Sequence, residues 1–174
     1  STGNLIFSPQ PNVSGITTIS VIVRYDGGTI CGLDAVTNTF TVTLISINDA
    51  PGLNPIPDIT IYENDPVVPV LLTNIFAGGP GEGGQSITIT AFSSDTNVIR
   101  NPTISYISPQ STGLLNLIPA GDLNGDATIT VIVRDNGGTA LGGIDASTNF
   151  FLVTVIPVND APRFTVTNMT ILED

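Results

Sequence analysis

Carboxylates are the side chains through which this sequence could carry out chemistry. It contains fifteen Asp and Glu residues and four Arg, but neither His nor Lys. Without His, a Ser-His-Asp triad and a histidine metal site are excluded, and without Lys a lysine nucleophile is excluded. Acid–base catalysis by paired carboxylates and cation binding by oxygen ligands are the chemistries that remain.

One pair of acids has the spacing of a candidate site. Asp122 and Asp126 lie in the stretch "AGDLNGDAT" and could in principle act as a glycosidase pair. The same stretch begins like a calcium-binding EF-hand loop, but such a loop needs Gly where Ala127 stands and Glu where Val133 stands. The sequence therefore predicts a tight turn between two strands here.

Two further segments have a weaker chemical signal. The Gly-rich stretch "GGPGEGGQ" at 78–85 lacks the Lys of a phosphate-binding P-loop, so it predicts a mobile loop, with a ligand-contacting loop as the alternative. Cys31 is the single cysteine, so no intrachain disulfide can form. We expect Cys31 to be an inert small side chain near the core or in a turn.

Charge and hydropathy exclude several classes of partner. A net charge of −11 would repel nucleic acid, and it makes metal cations the more plausible charged partners. The apolar runs fall far short of the roughly 18 residues that cross a bilayer, so no membrane insertion is expected. The chain begins at "STGNL", and any targeting segment is expected to lie outside it.

The chain contains an internal duplication with a period of about 110 residues. Residues 1–33 align with 111–143, and after a one-residue insertion 34–51 align with 145–162, with identical residues at more than half of the aligned positions. A weaker similarity links "ITIYEN" at 59–64 to "MTILED" at 169–174. The predicted organisation is the C-terminal half of one repeat at 1–52, a complete repeat at 53–164, and the first strand of the next repeat at 165–174.

Apolar residues alternate within each copy, which predicts half-buried β-strands. Ile129, Val131 and Val133 share one face, and the same phase recurs in the aligned segment at 19–23. Thr, Val and Ile dominate the composition, and turn sequences such as "DGG", "DNGG" and "NGD" separate the strands. The predicted fold is all-β, with tandem antiparallel β-sandwich repeats of seven or so strands.

An Asn-Asp-Ala-Pro motif follows the last strand of each copy, at 48–51 and at 159–162. Proline donates no ladder hydrogen bond and restricts the residue before it, so Pro51 and Pro162 are expected to end a strand and to stiffen the connection. The motif therefore predicts a joint between successive repeats.

The order of these motifs carries a family resemblance. A strand leading into "ENDP", then "VIVRDNGG", then a closing "VNDAP" resembles the cadherin-like, Ig-like tandem repeats of large bacterial cell-surface or secreted proteins. The resemblance implies an extracellular or cell-surface location and calcium bound at the joints. Carried over by position, it implies as metal ligands Asn48, Asp49 and Asp135 at the first joint, and Asn159, Asp160 and Glu63 at the second.

The chain departs from the family pattern at both joints. The first Asp of the family linker is Ser46 in one joint and Pro157 in the other, and the paired Asp motif of the family is absent. At most one ion for each joint is therefore expected. The alternative is that the Asn-Asp pairs make side-chain to backbone turns and caps without metal.

Three functions follow from these observations. The leading hypothesis is a non-enzymatic structural repeat of a long extracellular stalk or adhesin. The partners of such a repeat would be the neighbouring repeats. A second is a subunit or fragment of a self-assembling filament or sheath, completed by strand exchange between copies. A third is a polysaccharide-binding accessory module with cell-surface or glycan ligands, although the 6% aromatic content and the lack of Trp provide few stacking surfaces.

Overall fold

The computed structural model describes residues 3–24 and 35–173, in which nine β-strands form three sheets. Two sheets belong to one unit, and the third is a separate two-stranded ribbon. The "DGG" turn at 26–28 and Cys31 lie outside the described residues. The strands are β1 Gly15–Arg24, β2 Ala35–Leu44, β3 Ile59–Tyr62, β4 Val68–Thr73, β5 Thr88–Ser93, β6 Thr103–Ser105, β7 Thr112–Leu117, β8 Gly125–Arg134 and β9 Ala146–Ile156.

The seven strands β3 to β9 form the two-sheet unit. One sheet has the order β3-β9-β8-β5 and the other the order β4-β7-β6. All pairs are antiparallel except β3 with β9, which run parallel with Ile59 opposite Val153. A short 3-10 turn at Ala140–Gly142 connects β8 to β9. The all-β sandwich fold predicted from the alternating pattern is confirmed.

The core lies between the two sheets of this unit. Alternate residues of β8 point inward, so Ile129, Val131 and Val133 have no exposed surface, while Thr128 and Arg134 face solvent. The opposite sheet contributes Leu115 and Leu117. One hydrophobic cluster joins both sheets: Leu53, Ile56, Ile61, Leu72, Ile75, Ala77, Ile87, Ile89, Ala91, Val98, Ile99, Leu115, Leu117, Ala127, Ile129, Val131, Val133, Phe151, Val153 and Val155.

Strands β1 and β2 form an antiparallel ribbon that reproduces the pairing of β8 and β9. Ile19 lies opposite Phe40 in the ribbon, and the aligned Ile129 lies opposite Phe151 in the sandwich. The internal duplication in the sequence therefore corresponds to the same strand pairing. In the part of the chain that the structure describes, neither ribbon strand packs against a strand of the two-sheet unit.

The connection from the ribbon into the sandwich runs through 45–58. Pro51, Gly52 and Leu53 are buried. Gly52 forms an isolated bridge with Phe76, in which each residue donates its amide to the other's carbonyl at 3.0 Å. The first joint is thus attached to the unit that follows it. Beyond β9, residues 157–173 are exposed and lie outside any helix or strand.

Candidate functional site

The first joint is held by the side chain of Asn48, which follows the end of β2. Its Nδ2 donates to both carboxylate oxygens of Asp135, at 3.0 and 3.3 Å, and to the carbonyl of Ile144 at 2.8 Å. Its Oδ1 accepts a hydrogen bond from Nε2 of Gln85 at 2.7 Å. The Asn48 carboxamide therefore uses both of its ends to bind loops of the sandwich that follows it.

The backbone of the joint is held as well. The amide of Ile144 donates to the carbonyl of Asn48 at 2.9 Å. The amide of Asp49 donates to Oε1 of Glu82 at 2.9 Å, and the other oxygen of Glu82 accepts the amide of Gly79 at 2.6 Å. Glu82 therefore ties the end of one repeat to the loop between β4 and β5 of the next.

Strand ends position these partners. Asp135 directly follows β8, its amide donates to the carbonyl of Asp145 at 3.0 Å, and its Oδ1 accepts the amide of Gly137 at 2.8 Å. These bonds close the loop between β8 and β9 next to the joint. The loop at 78–85 leads into β5, the sheet neighbour of β8. Both loops therefore lie at the same end of the sandwich, the end to which the first joint connects.

Buried carboxylates mark both joints. Among the described residues, the buried charged side chains are Glu63, Glu82 and Asp135, with 5%, 7% and 6% of their surface exposed. A buried carboxylate is costly unless hydrogen bonds compensate for the lost water. Each of the three accepts N–H groups of a joint or of the loop beside it.

At the second joint, Glu63 contacts the end of β9 and the segment that follows it. Its amide donates to the carbonyl of Ile156 at 3.0 Å, and its Oε1 accepts the amide of Val158 at 2.7 Å. Asn159 and Asp160 are exposed, and Nδ2 of Asn159 donates to the carbonyl of Asp160 at 3.5 Å. Of the residues implied by the family resemblance, the structure brings together Asn48 and Asp135 at the first joint, and it places Glu63 at the second.

The geometry of the first joint bears on calcium binding. Asn48 presents its N–H groups, not its oxygen, to the Asp135 carboxylate, so a cation there would require this amide to turn over. Across the described ranges 3–24 and 35–173, no three Asp, Glu or Cys side chains converge as a metal-binding group. As arranged, the Asn48 carboxamide and the Asp135 and Glu82 carboxylates are engaged in hydrogen bonds.

Glu82 and Gln85 are joint residues that the sequence motifs do not indicate. The Gly-rich stretch 78–85 was expected to be a mobile loop, whereas Glu82 is buried and accepts two backbone amides. A usable signal was present, because Glu82 is the only charged residue in that stretch. A lone acid among glycines can reach backbone amides at close range, since glycine leaves those amides accessible.

The other acid pair lies away from the joints. Asp122 is exposed and has a φ of 48°, as expected for Asp in a tight turn. Asp126 is exposed at the start of β8, where it accepts a hydrogen bond from Oγ1 of Thr154 at 2.7 Å. Both positions agree with the predicted turn between strands.

Comparison with known proteins identifies no family for the chain. No family model matches it, and no curated protein matches it significantly. Among solved structures, it is similar to surface layer protein SbsC, domains 1–6, with 19% identity and a TM-score of 0.41 over 89% of this chain, which spans 18% of that chain. It is also similar to S-layer protein SbsC domains 4 and 5, with 18% identity and a TM-score of 0.38 over 81% of this chain and 70% of that one.

Proposed function

We propose that this chain is a non-enzymatic structural segment of an extracellular tandem-repeat protein, a stalk or adhesin in which docked joints set the angle between successive β-sandwiches. The observation that carries the proposal is the first joint. Asn48 and Asp49 close one repeat, and the buried carboxylates Asp135 and Glu82 of the next repeat hold them.

The chemistry of the joint supports a structural role. A flexible linker would leave its polar groups in water, where they would not restrict its orientation. Here the Asn48 side chain makes contacts on two separate loops, one before β5 and one after β8. Removing Asn48 would leave the Asp135 carboxylate with fewer donors, and an under-satisfied buried group costs about 1–3 kcal/mol.

The test compares the same substitution at the two joints. In a Cys31→Ser background, Thr39 of β2 and Thr148 of β9 are each replaced by Cys and spin-labelled. Pulsed electron spin resonance then measures the distance between the label on the ribbon and the label on the sandwich. We expect a narrow distance distribution in the parent, a broad one in Asn48→Ala, and an unchanged one in Asn159→Ala. Asn159 is the matched control, because it occupies the same motif and bonds only its neighbour's carbonyl among the described contacts.

An Asn48→Ala distribution as narrow as that of the parent would contradict a joint held by Asn48. A distribution that is already broad in the parent would contradict a stiff connection between repeats. Circular dichroism of each variant checks that the β-sandwich itself remains folded.

Calcium is the second part of the proposal. The resemblance to cadherin-like repeats motivates it, and Asp135, Glu82 and Asp49 are the carboxylates near the first joint that could supply hard oxygen ligands. Binding there would neutralise part of the net charge of −11 and would further restrict the joint.

A self-assembling filament or sheath is the alternative function, and one observation favours it. One face of the ribbon exposes large apolar side chains, among them Val23 at 66% and, opposite it in the strand pairing, Val36 at 60%. A contiguous exposed apolar surface of this kind is typical of an interface.

Among the described residues, no helix is both long and apolar enough to cross a membrane.

A further inference from the structure

The outer face of the sheet β3-β9-β8-β5 carries an aromatic row. On this face, Phe92 of β5 lies opposite Thr130 of β8, and Thr130 lies opposite Phe150 of β9. Phe92 and Phe150 are 50% and 64% exposed, and they stand two strand spacings apart, about 9–10 Å. Both sheets of this sandwich are described and the core between them is closed, so the row lies on the outside of a packed unit.

The hairpin of the ribbon shows that the fold does not need this row. By the internal alignment, Thr39 occupies the position of Phe150, which faces outward. The inward position next to it is Phe in both copies, as Phe40 and Phe151. The exposed aromatic residue is therefore particular to the sandwich, and with Phe92 beside it the pattern is typical of an interaction surface.

Strand β8 adds charges of opposite sign at the two ends of the same face. Its outward residues are, in order along the strand, Asp126, Thr128, Thr130, Ile132 and Arg134. Thr130 is the centre of this series, with the acid four residues before it and the base four residues after it. In the aligned strand of the ribbon the acid is replaced by Ile16, so this charge pattern also is particular to the sandwich.

Each of the two charges has a partner in its own chain and capacity for another. Nη1 of Arg134 donates to Oδ2 of Asp145 at 2.7 Å, and the Arg134 side chain is 55% exposed. Oδ1 of Asp126 accepts the hydroxyl of Thr154 at 2.7 Å. A guanidinium has five N–H donors and a carboxylate accepts several hydrogen bonds, so both groups can bind a further ion partner.

We propose that this face binds the same face of a second copy, sheet on sheet, about a two-fold axis that passes over Thr130 at right angles to the strands. The axis sets β8 of one copy antiparallel to β8 of the other. Arg134 of each copy then lies over Asp126 of the other, and the two aromatic rows lie over each other at the centre.

Charge complementarity favours a second copy in this orientation. If the two β8 strands ran parallel, Arg134 would face Arg134 and Asp126 would face Asp126, and like charges at an interface cost affinity. In the antiparallel arrangement one row supplies both the acid and the base, which is the self-complementarity that an isologous interface requires. An apolar centre with charged residues at its ends also has the anatomy of a protein interface.

This contact goes beyond the proposed function, which concerns successive repeats of one chain. It joins two chains side by side, running in opposite directions. The joint residues lie at one end of the sandwich and not on this face, so the two contacts can be tested separately.

Exchange of the two charges tests the register. Self-association is measured by sedimentation equilibrium at about 0.15 M salt, which screens the repulsion between acidic copies. We expect Asp126→Arg and Arg134→Glu each to weaken it at least about tenfold, because each variant pairs like charges twice. An equimolar mixture of the two variants, or one chain with both substitutions, should associate within about threefold of the parent, because opposite charges meet again.

Asp126→Arg also separates the specific pair from general repulsion. It makes an acidic chain less negative, so an association governed by net charge alone would become stronger. The proposed contact predicts that association becomes weaker. Circular dichroism checks that each charge variant keeps its β-sandwich.

A second pair of variants tests the aromatic row. Phe150→Thr introduces the residue that the aligned hairpin has at Thr39, and we expect it to weaken self-association at least about tenfold. Leu71→Thr is the matched control, because Leu71 is 61% exposed on β4 of the opposite sheet. Its association should stay within about twofold of the parent.

Three results would overturn the face-to-face contact. They are a chain that stays monomeric up to about 1 mM, a mixture of the charge variants that associates no better than either alone, and equal weakening by Phe150→Thr and Leu71→Thr. A monomeric chain in which an uncharged oligosaccharide shifts the Phe150 ring resonances would assign the face to a glycan instead. A docked joint that still loosens in Asn48→Ala would leave the proposed function standing in each case.

Discussion

Asn48 and the carboxylates around it show how single residues dock one repeat on the next. A carboxamide has two donors and an acceptor, so it can bind a carboxylate and another amide at once. Asn48 does this with Asp135 and Gln85. Because Asp135 and Glu82 are buried and accept hydrogen bonds, each is fixed in place, and the residues that they hold are fixed with them.

Gly78 provides a prediction at the residue scale. It has a φ of +144°, and a Cβ there would lie 2.6 Å from the carbonyl oxygen of Asp49 and would also meet the Glu82 carboxylate. Because the backbone of the joint would have to move, we expect Gly78→Ala to lower the free energy of unfolding by about 2 kcal/mol or more. Urea unfolding measures this loss.

Gly84→Ala is the matched control for Gly78→Ala. It lies in the same loop, and a Cβ there meets no atom within 4 Å. We expect its stability to stay within about 0.5 kcal/mol of the parent. Equal losses for the two substitutions would show that the loop does not approach Asp49 as closely as the structure places it.

At the scale of elements, one hairpin sequence serves two environments. The sheet β4-β7-β6 lies across the core from strands β8 and β9, so the inward face of these two strands is buried. In the ribbon, the Phe7 ring packs edge-on against Phe40, with centroids 6.0 Å apart and an interplanar angle of 78°. Phe7 aligns with Leu117 of β7, so the ribbon retains one contact of the kind that a complete repeat makes with its second sheet.

Matched substitutions in the two hairpins test this difference. Phe151→Ala should cost about 3–5 kcal/mol, because it opens a cavity in a closed core. Phe40→Ala should cost about 1 kcal/mol, because Phe40 is 40% exposed and loses chiefly its edge contact with Phe7. Urea unfolding is measured at protein concentrations where the chain is monomeric. A Phe40→Ala loss as large as that of Phe151→Ala would mean that the ribbon face is covered in solution.

At the scale of the whole molecule, the described residues form a two-stranded ribbon and one two-sheet sandwich, with one Asn-Asp-Ala-Pro motif between them and a second after β9. The first joint is docked on the unit that follows it, whereas Asn159 and Asp160 of the second are exposed. The loops that hold the first joint, before β5 and after β8, belong to the unit that follows this joint along the chain. A chain of such repeats is therefore expected to become stiffer with each further repeat that docks on the joint before it.

Calcium gives the prediction at this scale. If an ion binds at the first joint, saturating Ca²⁺ should raise the Tm by about 3 °C over EDTA and should narrow the range of shapes in small-angle scattering. Asp135→Asn should remove both effects, and Mg²⁺, which requires a tighter octahedron, should produce neither. Identical melting and scattering in Ca²⁺ and EDTA would leave hydrogen bonds alone to hold the joint.

The sequence by itself determined the duplication and the strand periodicity, because these depend on local pattern and on comparison of the chain with itself. Only the tertiary structure showed that Glu82 binds Asp49 across 33 residues, and that Asn48 binds Asp135 across 87. It also decided which of two equivalent apolar faces is covered. A strand's period of two specifies which side chains share a face, whereas the cover of that face and the partners of a loop depend on how distant segments pack.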